Sequence, residues 1–190
     1  MSDYRRLFRP GGTYFFTAIT ERRVPFLTTT LARDCLHSAI TECRKTRPFD
    51  LVAIVLLPDH LHCVWKLPEG DDDFPTRWAA IKARFTHAYL TAGGSECAVS
   101  ESKANRRFRG VWQRRYWEHR IRYMDDLRNH LNYIHYNPVK HHHAACPHAW
   151  PYSSFNRFVG RNDYDATWLC ACDGRQPKPP DFSSLPDGIE

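Results

Sequence analysis

Seven apolar residues in succession, Leu51-Val52-Ala53-Ile54-Val55-Leu56-Leu57, run into the pair Pro58-Asp59 and then into His60-Leu61-His62-Cys63-Val64-Trp65. The stretch Phe49 to Leu57 reads as a buried strand, and the turn around Pro58-Asp59 sends the chain back as a hairpin partner over Leu61 to Leu67. Few other folds can bury that run. Successive side chains of a strand point to opposite faces, so His60 and His62 project side by side. Two imidazoles so placed can hold a divalent metal and leave open positions for substrate oxygens.

The chain has 190 residues, enough for one domain with a sizeable core plus an arm or tail. Lys and Arg number 27 against 21 Asp and Glu, and the net charge of +6 suits a polyanionic partner without identifying it. Aromatics make up 14% of the chain, and they serve cores and interfaces but also stack on unpaired bases. The seven cysteines are odd in number and scattered, a poor disulfide framework that fits a reducing cytoplasm. Cys170-Ala171-Cys172 is too closely spaced for an ordinary zinc pair, and no second pair complements it. No apolar run approaches the ~20 residues that span a bilayer. Met1 to Arg6 lacks the apolar core of a signal peptide. No membrane partner is expected.

Along the chain, Thr13 to Thr20 is aromatic and β-branched and reads as a first strand. Thr28 to Lys45 has helical spacing, with Thr29 or Thr30 as cap. The acidic turn Glu69 to Asp73 precedes a helix to Leu90, where the dipole favours negative charge. Gly93 to Asn105 reads as a loop. Val111 to Arg122 alternates enough to be a fourth strand, and Met124 to about Ile134 reads as a helix ended near Asn137-Pro138. This order matches an α+β, ferredoxin-like βαββαβ antiparallel sheet, with an added C-terminal helix carrying Tyr133 and an irregular tail. The expected division is a domain over 1–158 and a tail over 159–190.

Tyr133 and Asn137 lie four residues apart and share a helix face. The Asn137 carbonyl oxygen could complete a metal site with His60 and His62, suited to Mg²⁺ or Mn²⁺, or could simply end the helix. A phenol is a poor nucleophile at neutral pH, but a neighbouring cation favours phenolate. Tyr116 and Tyr136 are rival nucleophiles, and His130 could approach Tyr133 as a base. His141-His142-His143 reads as a polar helix end whose side chains diverge.

Lys103 to Arg122 carries the strongest nucleic-acid signal. Lys103, Arg106, Arg107, Arg109, Arg114, Arg115, Arg120 and Arg122 are interleaved with Phe108, Trp112, Tyr116 and Trp117, and Glu118 is the only acid among them. Arginine forks fit phosphates and guanine edges, and aromatics stack on bases. Arg5, Arg6 and Arg9 form a second basic cluster, and Lys140 follows Asn137.

With these residues in place the chain resembles the REP-associated tyrosine transposases, a branch of the single-tyrosine HUH transposases. The resemblance rests on Tyr4-Arg5-Arg6, Gly11 to Thr17, Leu57 to His62, Trp65, Leu67 to Asp71, Trp112-Gln113, Tyr116 to His119 and Tyr133 to His141. It implies His60, His62 and Asn137 as metal ligands and Tyr133 as nucleophile. It also implies cleavage and rejoining of single-stranded DNA at palindromic (REP-type) hairpins, through a 5′-phosphotyrosine and a free 3′-hydroxyl. The expected setting is a bacterial cytoplasm, nucleoid-associated, with the protein a monomer or homodimer. Two other readings use the same residues: a catalytically idle, sequence-specific DNA-binding protein, and a metallohydrolase with Tyr133 structural.

Overall fold

The computed structural model describes residues 9–172, 174–186 and 189, with Lys103 described by its backbone alone. Tyr4, Arg5 and Arg6 lie outside the described residues. Four strands form one antiparallel sheet: β1 (Thr13–Ile19), β2 (Asp50–Leu56), β3 (His60–Lys66) and β4 (Trp117–Arg120), in the order β2-β3-β1-β4. The helices are α1 (Thr30–Thr46), α2 (Phe74–Thr91), the short α3 (Glu101–Asn105), α4 (Met124–Lys140) and the short α5 (Phe155–Val159). The βαββαβ order and the added helix agree with the expected class.

The central strands β1 and β3 bury both faces because a helical layer covers each. Tyr14, Phe16, Ala18, Leu61, Cys63 and Trp65 alternate onto the side of α1 and α2. There Trp65 stacks on Trp78 at 4.6 Å and Phe49 packs against Trp65 at 4.2 Å. Phe15, Val55 and Val64 point the other way, onto Tyr133 and Ile134 of α4. The sequence starts both long helices with caps. Thr29 Oγ1 accepts from the Ala32 amide, and Asp73 Oδ1 accepts from the Thr76 amide.

Three expectations need correction. The fourth strand covers 117–120, not 111–122. Residues 113–116, between Trp112 and the start of β4, are irregular. Trp112 instead makes an isolated bridge to Thr20. The loop over 93–105 contains α3, and the Cys97 amide donates to Gly110, where a Cβ would overlap the Cys97 carbonyl. Helix α4 runs past Ile134 and through Pro138 to Lys140, which keeps Asn137 on the helix. Among the described residues no helix is long and apolar enough to cross a membrane.

The acidic turn before α2 does more than complement a dipole. Arg77 is 2% exposed. Its guanidinium grips Asp71, at 2.9 Å to Oδ1, and donates to the carbonyls of Pro48 and Asp73, both at 2.9 Å. The clasp joins the end of α1 to the start of α2. Replacing Arg77 with Met would strand these acceptors in a buried site, and each such loss is costly. The Arg77→Met protein is expected to lose about 3 kcal/mol of unfolding free energy in urea titration. An unchanged midpoint would show that the clasp contributes nothing.

Candidate active site

The register of β1 against β3 builds the site. Thr17 stands opposite His62 and Ile19 opposite His60. On this face the His60 and His62 rings lie 4.9 Å apart, both buried. Each imidazole is held through Nδ1. Asp59 Oδ1 lies 2.6 Å from His60 Nδ1, and a carboxylate can only accept, so His60 donates from Nδ1. Thr17 Oγ1 lies 2.8 Å from His62 Nδ1. The single hydroxyl hydrogen of Thr17 goes to the Ile189 carbonyl at 2.7 Å, so His62 also donates from Nδ1. In the neutral form, each ring therefore carries its lone pair on Nε2, assigned by its partner.

Those lone pairs have no hydrogen-bond partner among the described residues, although both Nε2 atoms are buried. Asn137 Oδ1 and Nδ2 are in the same condition. Tyr133 and His141 flank Asn137 by one helical turn on each side. The Tyr133 ring meets His62 at 5.2 Å, and the His141 ring meets His60 at 5.5 Å. Asn137 is thus held over the histidine pair. Buried polar groups are normally satisfied. Two imidazole nitrogens and an amide oxygen, buried and unsatisfied among the described residues, are a donor set that fits a divalent cation.

The electrostatics agree with that fit. Burial, with His60, His141, Lys140 and Arg23 nearby, holds the His62 pKa well below its usual range, so the ring is neutral and able to ligate. Burial alone would raise the Asp59 carboxyl, but hydrogen bonds from His60 and Arg23 hold it well below the usual carboxylate range. Arg23 reaches Asp59 Oδ2 at 2.9 Å from a bend in which Arg22 and Arg23 have φ of 54° and 55°, unusual for side-chain-bearing residues. This Arg–Asp–His chain has the form of the outer hydrogen bonding that orients a metal-binding histidine.

Of the three candidate tyrosines, Tyr133 is the one whose ring meets the histidine pair. Tyr116 stacks on Trp78 at 5.5 Å on the opposite face of the sheet. Tyr136 faces Phe182 at 6.0 Å. The Lys140 ammonium lies 5.0 Å from the Tyr133 ring centroid, a cation–π contact beside the histidine pair. Tyr133 is 2% exposed, with Phe182 edge-on at 5.4 Å. Ser184 accepts from Asn129 at 3.1 Å, so the tail lies along α4.

His119, Asp126 and His130 form a second group with metal-ligating chemistry, their ligand atoms within 4.8 Å of one another. Here Asp126 is already engaged by the Arg122 amide at 3.0 Å and by His119 Nε2 at 3.1 Å. Burial would raise its carboxyl, and these bonds hold it low. His130 is neutral, pushed down to about 4 by burial, and its Nδ1 bonds the Asp126 carbonyl oxygen at 2.8 Å. Its imidazole packs against Phe15 at 4.9 Å. The His143 ring stacks on Trp150 at 5.5 Å and on His141 at 6.3 Å, so those two histidines share a side rather than diverge.

The basic segment runs beside the His60 end of the sheet. The Glu21 amide donates to Val111, the Gln113 amide to Ile19 and the Thr20 amide to Asp59, each at 2.9 Å. Arg107 and Arg114 line a groove of about 520 Å³ against α2, and Arg106 and Arg114 line a neighbouring one of about 420 Å³. Arg114 and Arg115 are exposed. Trp112 is buried against Phe85 at 5.0 Å, so it anchors this segment and offers no stacking face. Arg120 stands opposite Tyr14 in the sheet, on the face turned from the histidines.

The sequence offered a local sign for Asp59, which adjoins His60. It offered none for Thr17, Arg23 or Ile189, which reach the site through pairing and packing. The Thr17→Val protein keeps side-chain shape but frees the His62 ring. Its affinity for Mn²⁺ is expected to fall about 10–100-fold by calorimetric titration. Wild-type affinity would remove Thr17 from the site.

The REP-associated tyrosine transposase of Escherichia coli (strain K12) is 44% identical over 169 residues, 88% of this chain and 91% of its own length. A putative REP-associated tyrosine transposase of Haemophilus influenzae is 43% identical over 169 residues, 88% of this chain and 93% of its own. A solved structure of a REP-associated tyrosine transposase bound to a REP hairpin is 41% identical and superposes with a TM-score of 0.76 over 96% of each chain. No family model matches the chain. Relatives this similar over nearly their whole length place the chain in the family of REP-associated tyrosine transposases.

Proposed function

We propose that this protein is a metal-dependent single-stranded DNA endonuclease and strand transferase acting on palindromic, REP-type hairpins in the bacterial cytoplasm, with residues 1–158 as its catalytic domain. One observation carries the proposal: the Tyr133 ring lies 5.2 Å from His62, whose Nε2 is buried, bears a lone pair and lacks a partner among the described residues.

His60, His62 and Asn137 would hold the cation, Mg²⁺ or Mn²⁺. When bound it supplies Lewis-acid polarisation of the scissile phosphate. Tyr133 Oη attacks phosphorus and loses its proton. The new bond is a 5′-phosphotyrosine, and the bond that breaks releases a 3′-oxygen that takes up a proton. The free 3′-hydroxyl can run the step backwards, so the bond energy is conserved and strand transfer needs no nucleotide triphosphate. The Lys140 ammonium, 5.0 Å from the Tyr133 ring centroid, supplies positive charge beside the nucleophile and the phosphate it attacks. Arg106, Arg107, Arg114 and Arg115 are placed to contact DNA that approaches the His60 end of the sheet.

Incubation with Mn²⁺ and a labelled REP hairpin should yield a protein–DNA adduct that survives denaturation and maps to Tyr133. The Tyr133→Phe protein should lose it while hairpin binding stays nearly intact, because one hydroxyl is removed and ring volume is kept. Adduct on Tyr116 or Tyr136 would overturn the assignment. Hairpin binding with no adduct would leave a DNA-binding protein.

The Arg114→Ala/Arg115→Ala double variant should bind the hairpin more weakly, with a shallower dependence on salt, and keep its affinity for Mn²⁺. Each lost phosphate contact lowers the slope of log affinity against log salt by about one. Wild-type affinity and slope would remove these arginines from the interface.

A further inference from the structure

Away from the histidine pair, two short segments meet that no part of the proposed reaction uses. Cys146-Pro147-His148 follows α4, and Cys170-Ala171-Cys172 begins the last stretch of chain. The ligand atoms of Cys146, His148, Cys170 and Cys172 all lie within 4.8 Å of one another. Cys146 Sγ lies against both Cys170 Sγ and Cys172 Sγ. A sulfur forms one disulfide, so no pairing satisfies all three: whichever bridge forms, a third thiol remains pressed against it. Three sulfurs and an imidazole are instead the complete ligand set of a four-coordinate metal.

The backbone supports that set. The Ala171 amide donates to the Ala145 carbonyl at 3.2 Å and fixes one segment against the other. The Cys172 amide donates to Cys170 Sγ at 3.5 Å, a bond that stabilises a thiolate. Cys146 and Cys170 are buried, whereas His148 and Cys172 are exposed, which gives an ion a path in. The spacing objection to Cys170-Ala171-Cys172 as a zinc pair falls away, because Cys146-Pro147-His148 supplies the complement from 24 residues upstream.

We propose that Cys146, His148, Cys170 and Cys172 form a structural Zn²⁺ site. Thiolate-rich tetrahedral sites select zinc, and with all four positions taken by protein the site is closed to substrate. Binding releases the three thiol protons to solvent. The ion staples the segment after α4 to the segment that begins the last stretch of chain.

The full chain, purified in reductant and dialysed against a mild chelator, should retain about one zinc by elemental analysis. Replacement by Co²⁺ should give the intense near-ultraviolet sulfur-to-metal band and the visible bands of a tetrahedral thiolate site. The Cys172→Ser protein alters an exposed ligand and is the variant best able to fold; it should lose zinc on the same dialysis. The His60→Ala/His62→Ala double variant should keep it. Wild-type protein without zinc and without the sulfur-to-cobalt band would overturn the proposal. So would a Cys146 disulfide found by mass analysis in the reduced preparation. Neither outcome bears on adduct formation at Tyr133.

Discussion

The pairing of β1 with β3 is the constraint on which the site depends. A slip of one residue would turn Leu61 and Cys63 towards α4 and send His60 and His62 into the apolar layer beneath α1 and α2. That slip is resisted by Tyr14, Phe16 and Ala18 on β1 and by Leu61, Cys63 and Trp65 on β3, all buried in one cluster. The apolar packing on one face of the sheet therefore holds the polar chemistry on the other.

That chemistry is costly to bury. Two imidazoles and an amide sit out of water with atoms unsatisfied among the described residues. The surrounding bonds fix both Nδ1 atoms and aim both Nε2 atoms. One ring is set by an ionised Asp59 tied to Arg23, the other by a hydroxyl whose own hydrogen is committed to the tail. The donor set fits a cation, and the tail is part of its polar framework.

The fold was legible because its signals are periodic and local. The strand over Thr13–Ile19, the hairpin around Pro58-Asp59 and the capped helices after Thr29 and Asp73 all follow from nearby residues. The fourth strand was overextended because alternation was counted without its partner: β1 offers β4 only four registered positions, Tyr14 to Thr17. Trp112 was legible as an aromatic among arginines, but its burial against Phe85 is a property of how α2 packs. Half of the zinc candidate, Cys170-Ala171-Cys172, was weighed and set aside, because its complement lies 24 residues upstream and only folding brings the two together.

By itself the sequence determined which side chains share a face: His60 with His62 by strand periodicity, Tyr133 with Asn137 by helix periodicity. Backbone geometry enforces those relations wherever the strand and helix form. The tertiary structure alone decided that Tyr133, and neither Tyr116 nor Tyr136, meets the histidines. It also decided that Thr17 and Ile189, 172 residues apart, together set the tautomer of His62. Such choices depend on which buried surfaces pack together, and that is settled by the free energy of the whole chain.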